Sequence, residues 1–309
     1  MQNSNLSDVN ELYFGLCLNN HRWFSRDAEL KYKHSIKKIS AKDWQIQTER
    51  AKVMAEEVKA YAKRHKYIGI EKVYWVARIG TLQTAVDVAI GKGVMKIKPR
   101  NNPTDILLKF GSGPSGGLLG ISLKSTSRSQ GTTFKNRSLG ALDDILNIRL
   151  EDIEKKYEKK AVIDYNLPTV ESQRKIVLQK AKNKALAEEI SKEVLTETRN
   201  EYFKKLDSMD SSELTKHLIS FWMDSEGIFP PYVVIKGKGD KEGSYDAVID
   251  EPLKRSRALS AMTKEIKVTK LGDYSIGFSA GTDRICTVRL KYRDTKFASP
   301  IKISAEPWR

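Results

Sequence analysis

The sequence contains few cysteines and no long apolar run. Its two cysteines, Cys17 and Cys286, are too few for a disulfide framework and cannot form a four-thiolate zinc site. No apolar run approaches the ~20 residues of a membrane-spanning helix. The polar start, MQNSNLSDVNEL, lacks the apolar region of a signal peptide. These absences predict a cytoplasmic protein with no membrane partner.

Acidic residues are also scarce relative to basic ones. The 309 residues include 55 Lys and Arg against 39 Asp and Glu, which gives a formal net charge of +16. Such a surplus favours a polyanionic partner, most often a nucleic acid. The alternative is an ordinary soluble protein from a proteome that is basic throughout.

Hydrophobic periodicity separates helical from strand-like segments. Apolar residues that recur every three or four positions predict helices over 7–19, 41–65, 139–157, 170–206 and 211–224. Alternating or β-branched runs predict strands over 72–79, 94–98, 105–110, 118–125, the start of 230–243, 265–271, 274–279, 284–293 and 300–306. This order predicts an α/β fold whose sheet is completed from both ends of the chain.

Two familiar site motifs are excluded. The loop GSGPSG (111–116) follows a strand, but it contains Pro114 and leads into another strand instead of opening a helix. Gly117 stands where a phosphate-cradling loop requires Lys. We therefore interpret the loop as a hairpin tip. The four histidines show no metal-ligand spacing.

The predicted hairpin carries one acid and one base that suit phosphate chemistry. Asp105 begins its first strand and Lys124 lies on its second strand. Adjacent strands run ~4.8 Å apart, so the two side chains meet on one face if the register allows it. A carboxylate can hold Mg²⁺, and a nearby ammonium can orient the attacking water and offset charge on a phosphate.

This hairpin resembles the PD-(D/E)xK nuclease superfamily, the restriction-endonuclease-like fold. Pro103-Thr104-Asp105 is similar to the first half of the motif with one residue inserted, and Ser122-Leu123-Lys124 is similar to the second half. The segment NELYFGLCLNN (10–20) is similar to the first core helix, where many members carry an active-site glutamate. The resemblance implies a mixed central sheet flanked by helices.

The resemblance also implies roles for individual residues. Asp105 would be the central metal ligand and Lys124 the catalytic lysine, with Mg²⁺ or Mn²⁺ as cofactor. Glu11 would be an outer ligand or would orient Lys124, and the carbonyl of Leu123 would complete the metal shell. Ser122 replaces the second acid of the family, so metal affinity should fall: an ion pair at ~4 Å is worth about 4 kcal/mol at an effective dielectric near 20.

Each proposed site residue also has an ordinary structural explanation. Glu11 would be the N3 residue of a capping box in which Asp8 is the N-cap. Asp105 would be a turn residue at the entry of a strand, and Lys124 a solvent-facing strand lysine.

Two basic segments are candidates for nucleic-acid contact. KSTSRSQGTTFKNRS (124–138) offers Arg128, Lys135 and Arg137 among many hydroxyls, which suits phosphate oxygens. In RICTVRLKYR (284–293), alternation places Arg289 and Lys291 on one largely basic face. The alternatives are an ordinary polar loop and an exposed strand whose charges discourage edge pairing.

These observations predict a nuclease core over 1–140, a helical insertion over 141–225 that grips DNA, and a β-rich part over 226–309 that completes or extends the sheet. The resemblance implies an Mg-dependent endodeoxyribonuclease acting on double-stranded DNA, of the kind that phages carry; cutting at a palindrome would require a homodimer. The alternatives are a non-catalytic DNA-binding protein derived from a nuclease fold and an RNA-directed nuclease. Along the chain, Tyr and Trp show no cluster typical of single-strand recognition.

Overall fold

The computed structural model describes residues 2–76, 81–97, 102–125, 135–223, 229–292, 297 and 299–308. The chain forms two compact units, and each unit uses two segments. The first contains residues 1–130 and 224–256, and the second contains residues 131–223 and 257–309. These limits differ from the three sequential parts that the sequence suggested, because the two units share the range 226–309.

Helices and strands follow one another along the whole chain. The first part contains α1 (Gln2–Leu18), α2 (Arg26–Ile36), α3 (Ala41–Arg64), β1 (Ile68–Trp75), α4 (Thr81–Ile90), β2 (Ile106–Ser112), the short α5 (Pro114–Gly117) and β3 (Leu118–Ser125). The middle part contains β4 (Lys135–Ser138), α6 (Leu139–Leu146), α7 (Leu150–Asp164), α8 (Glu171–Gln179), α9 (Lys184–Asp207) and α10 (Ser211–His217). The last part contains β5 (Tyr232–Lys238), β6 (Asp246–Asp250), α11 (Pro252–Ser260), β7 (Ile266–Leu271), β8 (Ser275–Ala280), β9 (Asp283–Tyr292) and β10 (Ile301–Pro307).

The first unit is built around a mixed five-stranded sheet with the order β1-β2-β3-β5-β6. The strands pair antiparallel, except that β3 and β5 run parallel. Phe14 of α1 and Met54 of α3 share a core cluster with Ile121 of β3. Val86 of α4 packs in another cluster with Leu107, on the opposite face of β2. This unit is therefore α/β, with helices on both faces of its sheet.

The second unit contains an antiparallel sheet with the order β4-β10-β9-β8-β7. Its core joins that sheet to α6–α10 through residues such as Tyr202, Trp222, Phe278 and Val288. The strands that follow residue 265 thus belong to this second sheet. Of the range 226–309, which was expected to complete or extend the first sheet, β5 and β6 lie in that sheet and β7–β10 lie in the second.

Local predictions from periodicity mostly agree with the structure. The strands predicted over 105–110 and 118–125 are β2 and β3, and they form the expected hairpin. The strand predicted over 94–98 is wrong for the described residues 94–97, where the Ile97 N–H donates to the Gln83 side chain instead of to a neighbouring strand. No helix of the described chain is long and apolar enough to cross a bilayer.

The glycine loop is the tip of the hairpin, as predicted. Ser115, Gly116 and Gly117 have positive φ angles of 53°, 66° and 74°, the left-handed conformation that glycine adopts most easily. A Cβ at Gly117 would lie against the carbonyl oxygen of Phe110. Glycine is therefore required at this position by close backbone contact.

Candidate active site

The hairpin brings Asp105 beside Ser122 and near Lys124. The Asp105 N–H donates to the Ile121 carbonyl at 2.9 Å, and Ile106 pairs with Ile121, so Asp105 lies at the entry of β2, next to β3. Ser122 and Lys124 are two residues apart on β3 and share one face of that strand. Ile121 packs in the core cluster shared with α1 and α3.

The Asp105 carboxylate is partly buried and held by hydrogen bonds from β3. Its Oδ2 accepts the Leu123 N–H at 2.7 Å and the Ser122 hydroxyl at 3.4 Å. Burial raises the pKa of Asp105, while the charge of Lys124 and the two hydrogen bonds act in the opposite direction. Lys124 itself is exposed. The structure thus brings together an oriented carboxylate and a solvent-accessible ammonium.

The Leu123 carbonyl lies on the side of β3 that faces Asp105. Backbone groups two residues apart in a strand point to the same neighbour. The carbonyl of Ile121 and the N–H of Leu123 both bond Asp105, so the Leu123 carbonyl is directed to that side as well. This carbonyl is therefore available as an oxygen ligand on the same side as Asp105.

Glu11 of α1 joins this site. Burial, followed by the negative charge of Asp105, raises the pKa of Glu11 to about 7. The Ser7 hydroxyl donates to Glu11 Oε1 at 3.0 Å. Because α1 begins at Gln2, Asp8 and Glu11 lie inside the helix and the capping-box interpretation is wrong.

Buried polar side chains that the sequence analysis missed hold α1 and β3 in place. The Asn10 amide donates to the Gln47 carbonyl, and the Ser125 hydroxyl donates to Gln47 Oε1, both at 2.9 Å. Arg50 donates to the Ser125 hydroxyl at 3.1 Å. Asn10 adjoins Glu11 in sequence. These bonds therefore fix the helix that carries one candidate ligand against the strand that carries the lysine.

The sequence of α3 contains a pattern that could have identified Gln47 and Arg50 as buried polar residues. Both residues are buried in the helix face that also contains Ala51, Met54 and Val58. A polar residue in an otherwise apolar stripe requires an internal hydrogen-bond partner. Such residues therefore mark a buried polar network, although the sequence does not identify its partners.

The available donors fit a magnesium ion. Asp105, Glu11 and the Leu123 carbonyl supply oxygen ligands, and one or two carboxylates with waters and substrate phosphate are the usual set for Mg²⁺. Ser122 is almost fully buried and donates to Asp105, so it orients a carboxylate and does not supply a second acid. Among the described residues, no group of three or more His, Cys, Asp or Glu side chains is arranged to hold a metal ion.

The first basic segment is only partly described. Arg128 lies outside the described residues, as does the side chain of Lys135. Arg137, in β4 of the second unit, places its guanidinium 4.9 Å from the Phe221 ring centroid. Burial lowers the pKa of Arg137. This arginine packs on a ring, so phosphate contact by these three residues stays a prediction.

The second basic segment adopts the predicted alternation. Along β9, Cys286, Val288 and Leu290 are buried, whereas Arg289 is exposed and Lys291 partly exposed. The neighbour of Lys291 on β10 is Lys302. Nucleic-acid contact by Arg289 and Lys291 remains a prediction.

The sequence matches no protein-family model, and no curated protein matches it significantly.

Proposed function

We propose that the chain is a metal-dependent endodeoxyribonuclease with a restriction-endonuclease-like fold in its first unit. One observation carries the proposal: Glu11 of α1 lies close enough to Asp105 for the Asp105 charge to raise the pKa of Glu11. The charge of Lys124 in turn acts to lower the pKa of Asp105. Three residues that the resemblance singled out, from separate elements, thus interact with one another.

Two partly buried carboxylates that repel each other weaken the fold unless something compensates for them. Burial raises the pKa of both Glu11 and Asp105, so each is costly to ionise. A bound cation favours the ionised form of both groups. Perturbed acids of this kind are typical of functional sites.

The proposed chemistry divides among the residues of the hairpin and α1. Asp105, Glu11 and the Leu123 carbonyl would hold Mg²⁺ or Mn²⁺, which supplies Lewis acidity and a more acidic bound water when present. The Ser122 hydroxyl and the Leu123 N–H fix the Asp105 carboxylate. Lys124 directs its ammonium to the attacking water and offsets negative charge on the phosphate. The net charge of +16 favours a nucleic-acid partner, and DNA is the one that the resemblance implies.

The test is plasmid nicking and linearisation in Mg²⁺, Mn²⁺ or EDTA. Wild type should cut only with metal, and Asp105→Asn and Lys124→Ala should each reduce the rate by about a hundredfold or more. Lys63→Ala, at an exposed position of α3, is the matched control and should cut like wild type. Metal-dependent cutting that survives both site substitutions would show that the residues are wrong.

A non-catalytic DNA-binding protein is the second candidate, because Ser122 contributes no charge where the resembling family has an acid. It becomes the better description if wild type and variants all shift DNA on a gel and none cuts under any metal. Competition among duplex DNA, single-stranded DNA and RNA tests the third candidate, an RNA-directed nuclease.

A further inference from the structure

A groove of about 650 Å³ runs along β1 in the first unit. Its lining includes Phe24 and Lys31 from the region of α2, Lys72 and Tyr74 of β1, and Ala85 of α4. β1 is the edge strand of the mixed sheet, so the groove lies between helices at an open sheet edge. Its volume falls in the range of ligand sites, roughly 300–1,000 Å³.

Aromatic rings that are separated in the sequence meet at this groove. Phe24, Tyr74 and Trp75 line it. Behind them, the Trp23 ring centroid lies 6.5 Å from that of Phe24 and 5.1 Å from that of Tyr32. These residues form no cluster along the sequence, because they come from α2, its preceding loop and β1. Every nucleic-acid base has a π-face that can stack on such rings.

Basic groups accompany the rings. Lys72 is exposed, and its ammonium lies 5.3 Å from the Tyr74 ring centroid. Lys31 also lines the groove and pairs with Asp8 at 2.9 Å. Asp27 is the acidic lining residue. Cations beside aromatic rings match a chain of bases joined by phosphates better than an uncharged ligand.

Trp75 connects the groove to the candidate active site. Its indole N–H is buried, and its ring packs against the cluster that contains Val9 and Leu12 of α1, the helix that carries Glu11. The next residue, Val76, donates its N–H to the Asp105 carbonyl at 2.9 Å. A strand bound along the groove would therefore lead to Glu11 and Asp105.

We propose that this groove binds unstacked nucleotides next to the scissile phosphate, so that the substrate is DNA with a single-stranded segment beside the cut. The position beside the cut rests on the proposed nuclease function. Binding of single-stranded nucleic acid by the groove is independent of catalysis.

Binding is measured by fluorescence anisotropy in EDTA, with a short labelled oligo(dT) and a blunt duplex of equal length. Tyr74→Leu and Lys72→Gln should each weaken oligo(dT) binding by about fivefold or more. Tyr165→Leu in the second unit and Lys63→Gln on α3 are the matched controls and should bind like wild type. Equal oligo(dT) affinity for wild type and both groove variants would overturn the proposal.

Photocrosslinking provides a readout that needs no variant. An oligonucleotide with 5-iodouracil should crosslink to residues 72–75, as mapped by mass spectrometry of the digested protein. Crosslinks found only at other residues would overturn the groove assignment. The assignment would also be overturned if the groove bound an extended peptide that pairs with β1. If the protein cuts DNA with metal but Tyr74→Leu does not change oligo(dT) binding, the groove proposal is refuted and the nuclease proposal stands. If the groove binds oligo(dT) but the protein never cuts DNA, the nuclease proposal is refuted and the groove proposal stands.

Discussion

Replacing Glu11 by Gln is expected to stabilise the metal-free protein at neutral pH. The folded protein holds Glu11 partly buried near Asp105, and its pKa rises from 4.5 to about 7. In the unfolded chain the same carboxyl is solvated and has its ordinary pKa. Gln has nearly the same shape and can accept the Ser7 hydroxyl, but it carries no charge at any pH.

The magnitude follows from the difference between the two pKa values. Between pH 4.5 and 7 the unfolded chain releases the Glu11 proton while the folded chain retains it, so stability falls as the pH rises. One pKa unit corresponds to about 1.4 kcal/mol. Above pH 7 the free energy of unfolding of Glu11→Gln should therefore exceed that of wild type by about 3 kcal/mol. This difference should disappear as the pH falls toward 4.5.

Urea unfolding in EDTA across this pH range measures the gap. Glu56→Gln, at a mostly exposed carboxylate on α3, is the control and should show no comparable gap. Saturating Mg²⁺ should stabilise wild type more than Glu11→Gln, because a cation favours the ionised carboxylate. A gap that does not change with pH, or that stays near zero at pH 8, would refute the placement of Glu11 beside Asp105.

Three further outcomes can be measured. Replacing Arg289 and Lys291 by Gln should flatten the slope of log K against log salt for DNA binding by about 0.9 for each phosphate that these side chains neutralise in the wild-type complex; an unchanged slope would show that they do not touch the DNA. Gly120→Ala should lower the free energy of unfolding by about 1–3 kcal/mol, since a Cβ would collide with two packed side chains. Gly111→Ala should change little, because its nearest obstacle is a flexible side chain. Burial lowers the pKa of His217 from 6.5 to about 4, so the second unit should lose stability as the pH falls through that interval, and His217→Gln should remove this decline in urea unfolding.

Periodicity predicted the hairpin because its two strands depend on short-range pattern. The alternation over 105–110 and 118–125 sets which side chains share a face, and the loop between them sets the register. Asp105 and Lys124 could therefore be placed together from the sequence. Antiparallel neighbours joined by a short loop are the most predictable part of a sheet.

Longer-range arrangements could not be predicted in this way. The parallel pairing of β3 with β5 spans the middle of the chain, and the alternation of β7–β10 is equally compatible with either sheet. The start of α1 was placed too late, because Asn3, Ser4 and Asn5 favour caps over helix interiors. In the structure these residues are helical.

Ser122→Asp tests whether the site is a weakened metal centre. Ser122 is almost fully buried beside Asp105, so a second carboxylate there should destabilise the metal-free protein by repulsion and desolvation. With Mg²⁺ the same carboxylate should increase metal affinity, since an added charge at ~4 Å contributes on the order of 4 kcal/mol at an effective dielectric near 20. The Mg²⁺-dependent rise in melting temperature should therefore be larger for Ser122→Asp than for wild type, whereas Ser122→Ala should show no such gain. If Mg²⁺ fails to stabilise Ser122→Asp beyond wild type, Asp105 does not face a metal, and the resemblance to a nuclease motif has no chemical basis.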